Sequence, residues 1–168
     1  MLICHDNLPQ GISISGMEIG KGREDEKTGE RDLLREMCGY DVELSHNENG
    51  KPLIKDWNLS ISHTKGFLVI ILSKIFRVGI DIEYRSERVK RIAKRFLRTD
   101  EFYTNTEQLL TIWCAKETIY KLLSEERLTY QEIKVDPLRE TAMNMRTNRL
   151  YPFVTKYYKD YIITYAWL

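Results

Sequence analysis

Six consecutive apolar residues, Phe67 to Leu72, set the first limit on what this chain can fold into. Being apolar on both faces, they need cover from two sides, as a central strand or a buried helix, and their β-branched members favour the strand. The segment before them, Asn58-Leu59-Ser60-Ile61-Ser62-His63, alternates polar and apolar residues as a half-buried strand does, and Thr64-Lys65-Gly66 supplies a turn between the two. Ser73 to Arg77 then lead into a third extended run, Val78-Gly79-Ile80-Asp81-Ile82-Glu83.

In that third run Asp81 and Glu83 share one face and Ile80 and Ile82 the other, because successive side chains of a strand alternate. Two carboxylates so close repel, and the remedies are a shared proton, a basic partner or a divalent cation. Taken alone, the segment reads more simply as a half-buried strand with an acidic solvent face.

The period changes on either side of this block. Leu33, Leu34, Met37 and Cys38 form one helical stripe with Gly39 as its stop, preceded by a charged, exposed stretch from Glu24 to Glu30. From Ser86 to Arg98, Val89, Ile92, Ala93, Phe96 and Leu97 recur at helical spacing, with Lys90, Arg91, Lys94, Arg95 and Arg98 on the other faces. A second helix is expected from about Thr106 to Leu123, opened by a capping box of Thr104 and Glu107. Leu2-Ile3-Cys4 and Ile12-Ser13-Ile14 are two short apolar pieces, and short strands are expected at Val42-Glu43-Leu44, Ile133 to Val135, Thr141 to Arg146 and Tyr161 to Leu168. The glycines Gly16, Gly20 and Gly22 do not make a phosphate-binding P-loop, since the leading Gly and the closing Ser or Thr are missing.

A chain of 168 residues fits one domain or two small lobes sharing a core. A formal net charge of +1 indicates no general polycation, so partners are decided by local charge. Cys4, Cys38 and Cys114 lack the close pairing of a zinc or redox motif and suit a reducing compartment. Met1-Leu2-Ile3-Cys4-His5-Asp6 lacks the pattern of a signal peptide, and no apolar run spans a bilayer, so a soluble cytoplasmic protein is expected.

On the second helix Glu117 and Lys121 stand one turn apart, and a surface salt bridge would explain them cheaply. Trp113 and Tyr120 mark the same helix as partly buried, and buried charges need a partner or a task. Glu117 can complete an oxygen-rich site with Asp81 and Glu83, leaving Lys121 for a phosphate. Three carboxylates without thiolate or imidazole suit a hard ion, magnesium before zinc, and magnesium shares its sphere with phosphate oxygens.

Three ordered segments, Asn58 to Thr64, Val78 to Glu83 and Trp113-Cys114-Ala115-Lys116-Glu117-Thr118-Ile119-Tyr120-Lys121, closely resemble the signatures of the 4′-phosphopantetheinyl transferases. Gly50-Lys51-Pro52 and Ile92 to Leu97 with Glu101 look like segments of the larger subclass, typified by the activator of surfactin synthetase. The resemblance covers roughly residues 50 to 121, and the first lobe is short by its standard. It implies transfer of the phosphopantetheine arm of coenzyme A to a serine of an apo acyl or peptidyl carrier protein, with release of adenosine 3′,5′-bisphosphate. By resemblance, Asp81, Glu83 and Glu117 hold magnesium, Lys121 contacts the pyrophosphate, Lys51, Ser62 and His63 contact coenzyme A, and Glu101 is the general base. Among Lys21, Arg23, Lys27, Arg31 and Arg35, none aligns clearly as the nucleotide's basic partner.

The fold expected is α/β (α+β): two similar lobes related by a pseudo-twofold axis, each a small, mostly antiparallel sheet packed with a helix. The lobes are residues 1–74, carrying nucleotide contacts, and 75–168, carrying the metal site, in one compact unit and a monomer. The basic helix suits an acidic carrier protein, and neither nucleic acid nor membrane is an expected partner. The competing readings are another magnesium-dependent phosphoryl transferase, which the absent P-loop disfavours, and a non-catalytic protein binding acidic partners.

Overall fold

The computed structural model describes the backbone of residues 2–8 and all of residues 11–168. Two antiparallel strands, β1 (Leu2–Leu8) and β2 (Ile12–Glu18), lead into helix α1 (Arg23–Cys38). After a small hairpin of β3 (Ser45–His46) and β4 (Pro52–Leu53) come β5 (Asn58–Thr64) and β6 (Phe67–Ser73), and the first sheet runs β1-β2-β6-β5. The doubly apolar run from Phe67 is thus an inner strand, with Leu68 to Leu72 all buried.

The second half begins with β7 (Val78–Tyr84), continues through α2 (Arg88–Phe96) and α3 (Thr106–Leu122), and ends in β11 (Val154–Tyr157) and β12 (Tyr161–Trp167). Its sheet is ordered β11-β12-β7. In each half a strand leads to a helix and then to a hairpin whose second strand pairs antiparallel with the first: β6 with β2, and β12 with β7. A third sheet of β8 (Ile133–Asp136), β9 (Thr141–Asn144) and β10 (Arg149–Pro152) is inserted between α3 and β11. Among the described residues the fold is a mixed α+β one of small antiparallel sheets and three α-helices.

The faces of β7 explain how the halves share a core. Ile80 and Ile82 join Ile12, Ile14, Val69, Ile71, Ile163 and Tyr165 in one cluster drawn from both larger sheets. The opposite face carries Gly79 and Asp81 and lies under α3. A Cβ on Gly79 would come within 2.4 Å of the Thr118 carbonyl oxygen, so the helix rests on the strand only because this residue is glycine. The acidic face of β7 is therefore roofed by α3 rather than by solvent, and Asp81 is 4% exposed.

Several local expectations are corrected. The charged stretch from Glu24 is already helical, and α1 starts at Arg23, with Glu24, Asp25 and Glu26 favourably placed in its first turn. The stop at Gly39 is a left-handed cap with φ 79°, donating to Arg35 O. Helix α2 is shorter than Ser86 to Arg98, because Leu97 is already extended. Asn105, not Thr104, caps α3, accepting from Glu107 N and Gln108 N. Residues 42–44 form no strand, while β10 and β11 lie in sequence that carried no strand pattern.

Candidate active site

Strands β5 and β7 belong to separate sheets, and side chains bridge them at the junction. Ser60 Oγ accepts from Ile80 N at 3.2 Å, and Ser62 Oγ donates to Asp81 Oδ1 at 2.7 Å. Asp81 Oδ1 also accepts from Lys121 Nζ at 2.6 Å, and the same ammonium donates to Ile80 O at 3.1 Å. Asp81 Oδ2 is buried without a hydrogen-bond partner.

The other two acids of the expected site are each held by an aromatic donor. Trp113 Nε1 donates to Glu83 Oε1 at 2.7 Å, and Tyr130 Oη donates to Glu117 Oε1 at 2.5 Å. The two rings touch edge to face, with centroids 5.1 Å apart. Burial and the negative charge of Asp81 push Glu83 up to about 7, with Glu117 adding to the effect and Trp113 and Lys121 opposing it. Burial raises Glu117 as well, against the Tyr130 hydrogen bond.

Among the described residues no three His, Cys, Asp or Glu side chains are gathered closely enough to form a finished metal cage. The chemistry of the group nevertheless fits a hard cation. Its donors are all carboxylate oxygens, one buried oxygen lacks a partner, and burial together with the charge of Asp81 disfavours ionisation of Glu83 and Glu117. A divalent ion would relieve each of these, as the ammonium of Lys121 does in part for Asp81.

A cavity of about 510 Å³ opens beside this group, between the β4–β5 segment and α3. Lys51, Lys121 and Arg127 line it together with Glu117, Tyr120 and the Asn49-Gly50 turn, so cations outnumber the one carboxylate. A second cavity of about 410 Å³ has Glu83 and Trp113 in its wall, with Lys65, Arg88 and Arg95 around an apolar floor that includes Ile92. The carboxylates thus separate a cationic cavity from one bordered by the basic helix α2.

Two expected site residues lie apart from this arrangement. Glu101 is buried in an ion pair with Lys116 at 2.7 Å, its Oε2 also accepting from Arg98 N and its Oε1 from Val135 N. To accept a proton from a substrate it would have to give up Lys116, itself fully buried. His63 projects from the exposed end of β5, with Nδ1 3.4 Å from Glu26 Oε1 and Glu30 near enough to feel its charge. Two of the bases of α1 are paired within the helix, Lys27 with Glu24 and Arg35 with Asp32.

Sequence reasoning missed Arg127 and Tyr130. Arg127 sits in a left-handed turn just beyond α3, with φ 49°, and Tyr130 opens a short 3-10 turn, Tyr130–Glu132. Neither position carries a periodic or motif signal, since each is brought in by the way the chain reverses after the helix.

No curated protein matches the chain. A family model for the 4′-phosphopantetheinyl transferase superfamily matches residues 77–166, a span that contains Asp81, Glu83, Glu117 and Lys121. With more than half of its length matched and those residues brought together beside a cationic cavity, the chain belongs to the 4′-phosphopantetheinyl transferase superfamily and is a transferase of the phosphopantetheinyl type.

Proposed function

We propose that the protein moves the phosphopantetheine arm of coenzyme A to a serine of an apo acyl or peptidyl carrier protein, releasing adenosine 3′,5′-bisphosphate, in the manner of the larger, surfactin-synthetase-activating subclass. The observation that carries this reading is the cavity where Lys51, Lys121 and Arg127 meet Glu117, with Asp81 behind Lys121. Three cations suit a ligand with several phosphates.

Asp81, Glu83 and Glu117 would hold a magnesium ion, which when bound offsets charge on the pyrophosphate. Lys121, already against Asp81, would contact a phosphate oxygen on the cavity side. Ser62 would fix Asp81, and Lys51 would bind the nucleotide end. His63 retains a place near the 3′-phosphate, although Glu26 and Glu30 beside it weaken any grip there.

In the transfer, the serine oxygen bonds to the phosphorus nearer the pantetheine. The bond from that phosphorus to the bridging oxygen breaks, and the bisphosphate leaves with the electron pair. The serine proton passes to water. Glu101, to which the resemblance gives the role of base, is committed to Lys116. The carrier would approach over α2, whose Lys90, Arg91, Lys94 and Arg95 are exposed and suit an acidic surface. In this reading residues 1–74 and 75–168 act as two lobes flanking one cleft, as a self-sufficient cytoplasmic monomer.

The test is carrier-dependent release of adenosine 3′,5′-bisphosphate from coenzyme A in magnesium buffer. Release without any carrier, or turnover of a nucleoside triphosphate instead, would contradict the reading.

A further inference from the structure

Tyr130 lies outside all three recognised signatures, yet it touches both halves of the site. Its hydroxyl donates to Glu117 Oε1 at 2.5 Å, and its ring meets the edge of Trp113, whose indole N–H holds Glu83. Its backbone is fixed as well. The Tyr130 carbonyl accepts from the buried Lys116 Nζ at 3.1 Å, and a capping box of Thr129 and Glu132 closes its turn. A free glutamate side chain has three rotatable bonds and loses conformational entropy whenever it takes one ligand geometry. Here that entropy has already been given up in the fold: two rigid aromatic rings in mutual contact set how Glu83 and Glu117 are spaced. One oxygen of Glu117 is held, and the other is left for a further partner.

We propose that Tyr130 is a positioning residue for Glu117, with the buried Lys116–Glu101 pair acting through it by anchoring the Tyr130 turn. This rests on the phosphopantetheinyl-transfer reading of the site. Such outer partners of a ligating carboxylate typically matter about 10- to 100-fold.

The experiment compares the wild type with Tyr130→Phe, which keeps the ring and removes only the hydroxyl. Tyr157→Phe is the control, since it deletes a phenol oxygen that lies 3.1 Å from Thr111 Oγ1, outside the site. Carrier modification gives kcat and the KM for coenzyme A, and electron paramagnetic resonance gives Mn²⁺ binding to the protein alone. For Tyr130→Phe the expected result is about a tenfold loss in both kcat and Mn²⁺ affinity, with an unchanged KM and melting temperature, while Tyr157→Phe matches the wild type. Wild-type kcat and Mn²⁺ affinity in Tyr130→Phe would overturn the proposal, as would a kcat loss that merely tracks a fall in melting temperature. An equal loss in Tyr157→Phe would overturn it too. A wild type that modifies no carrier would instead remove the functional reading, and the positioning role with it.

Discussion

Ser62 donates a 2.7 Å hydrogen bond to Asp81 across the junction of two separate sheets, joining a strand of the first half to the carboxylate at the centre of the second. The bond leaves Asp81 with one oxygen shared between Ser62 and Lys121 and the other without a partner. Asp81→Asn, isosteric and uncharged, should lower kcat by about 100-fold or more, the usual scale for losing a fixed electrostatic group at a reacting phosphate. Circular dichroism should show the fold kept. Ser62→Ala should cost less, about tenfold. A fully active Asp81→Asn would remove Asp81 from the site.

Lys116 and Glu101 test a different point, because one motif residue and the resemblance-assigned base turn out to be each other's partner in the core. Glu101→Gln should leave Lys116 buried without its counter-charge and cost about 3 kcal/mol of stability, the scale for breaking a buried pair from one side. Urea denaturation measures it. A variant as stable as the wild type but deficient in kcat alone would return Glu101 to the role of base.

Raising the pH should destabilise the metal-free protein. Burial and Asp81 hold Glu83 at about 7 in the folded state against 4.5 as its ordinary value, so between those limits the folded chain binds the extra proton. Stability is then highest below about pH 4.5 as far as this group is concerned, and falls as the pH rises to about 7, by on the order of 3 kcal/mol. Thermal unfolding in the presence of a chelator should show the decline, and Glu83→Gln should flatten it. An unchanged slope in that variant would assign the pH dependence elsewhere.

Gly79→Ala should separate helix from strand. The added methyl would meet the Thr118 carbonyl oxygen at 2.4 Å and the Leu122 Cβ and backbone N at 3.0 Å, and backbone cannot rotate out of the way. A loss of about 3 kcal/mol is expected, the upper range for overpacking, together with loss of activity as Glu117 and Lys121 shift from Asp81. Wild-type stability would mean that α3 does not rest on β7 as closely as described.

These residues also show what was legible in the sequence. The alternation in β5 and β7 and the doubly apolar β6 gave strand limits within a residue or so, because burial on one or two faces leaves a direct trace in sequence. The helical stripe of α1 and its Gly39 stop were equally visible. The charged first turns of α1 were not, since a helix whose outer faces are all solvated carries little hydrophobic period there. Lys116 could be recognised as part of a signature, but its burial depends on how α2 and the turn at Tyr130 close over α3. Tyr130, Arg127 and the close approach at Gly79 are products of tertiary contact, and local pattern has no means of announcing them.

The most direct measurement is the intact mass of an apo acyl or peptidyl carrier protein after incubation with this protein, coenzyme A and magnesium. The account predicts a gain of one phosphopantetheine arm on the carrier's serine, abolished with Asp81→Asn. An unmodified mass across several apo carriers, with magnesium in excess and the protein folded, would contradict it.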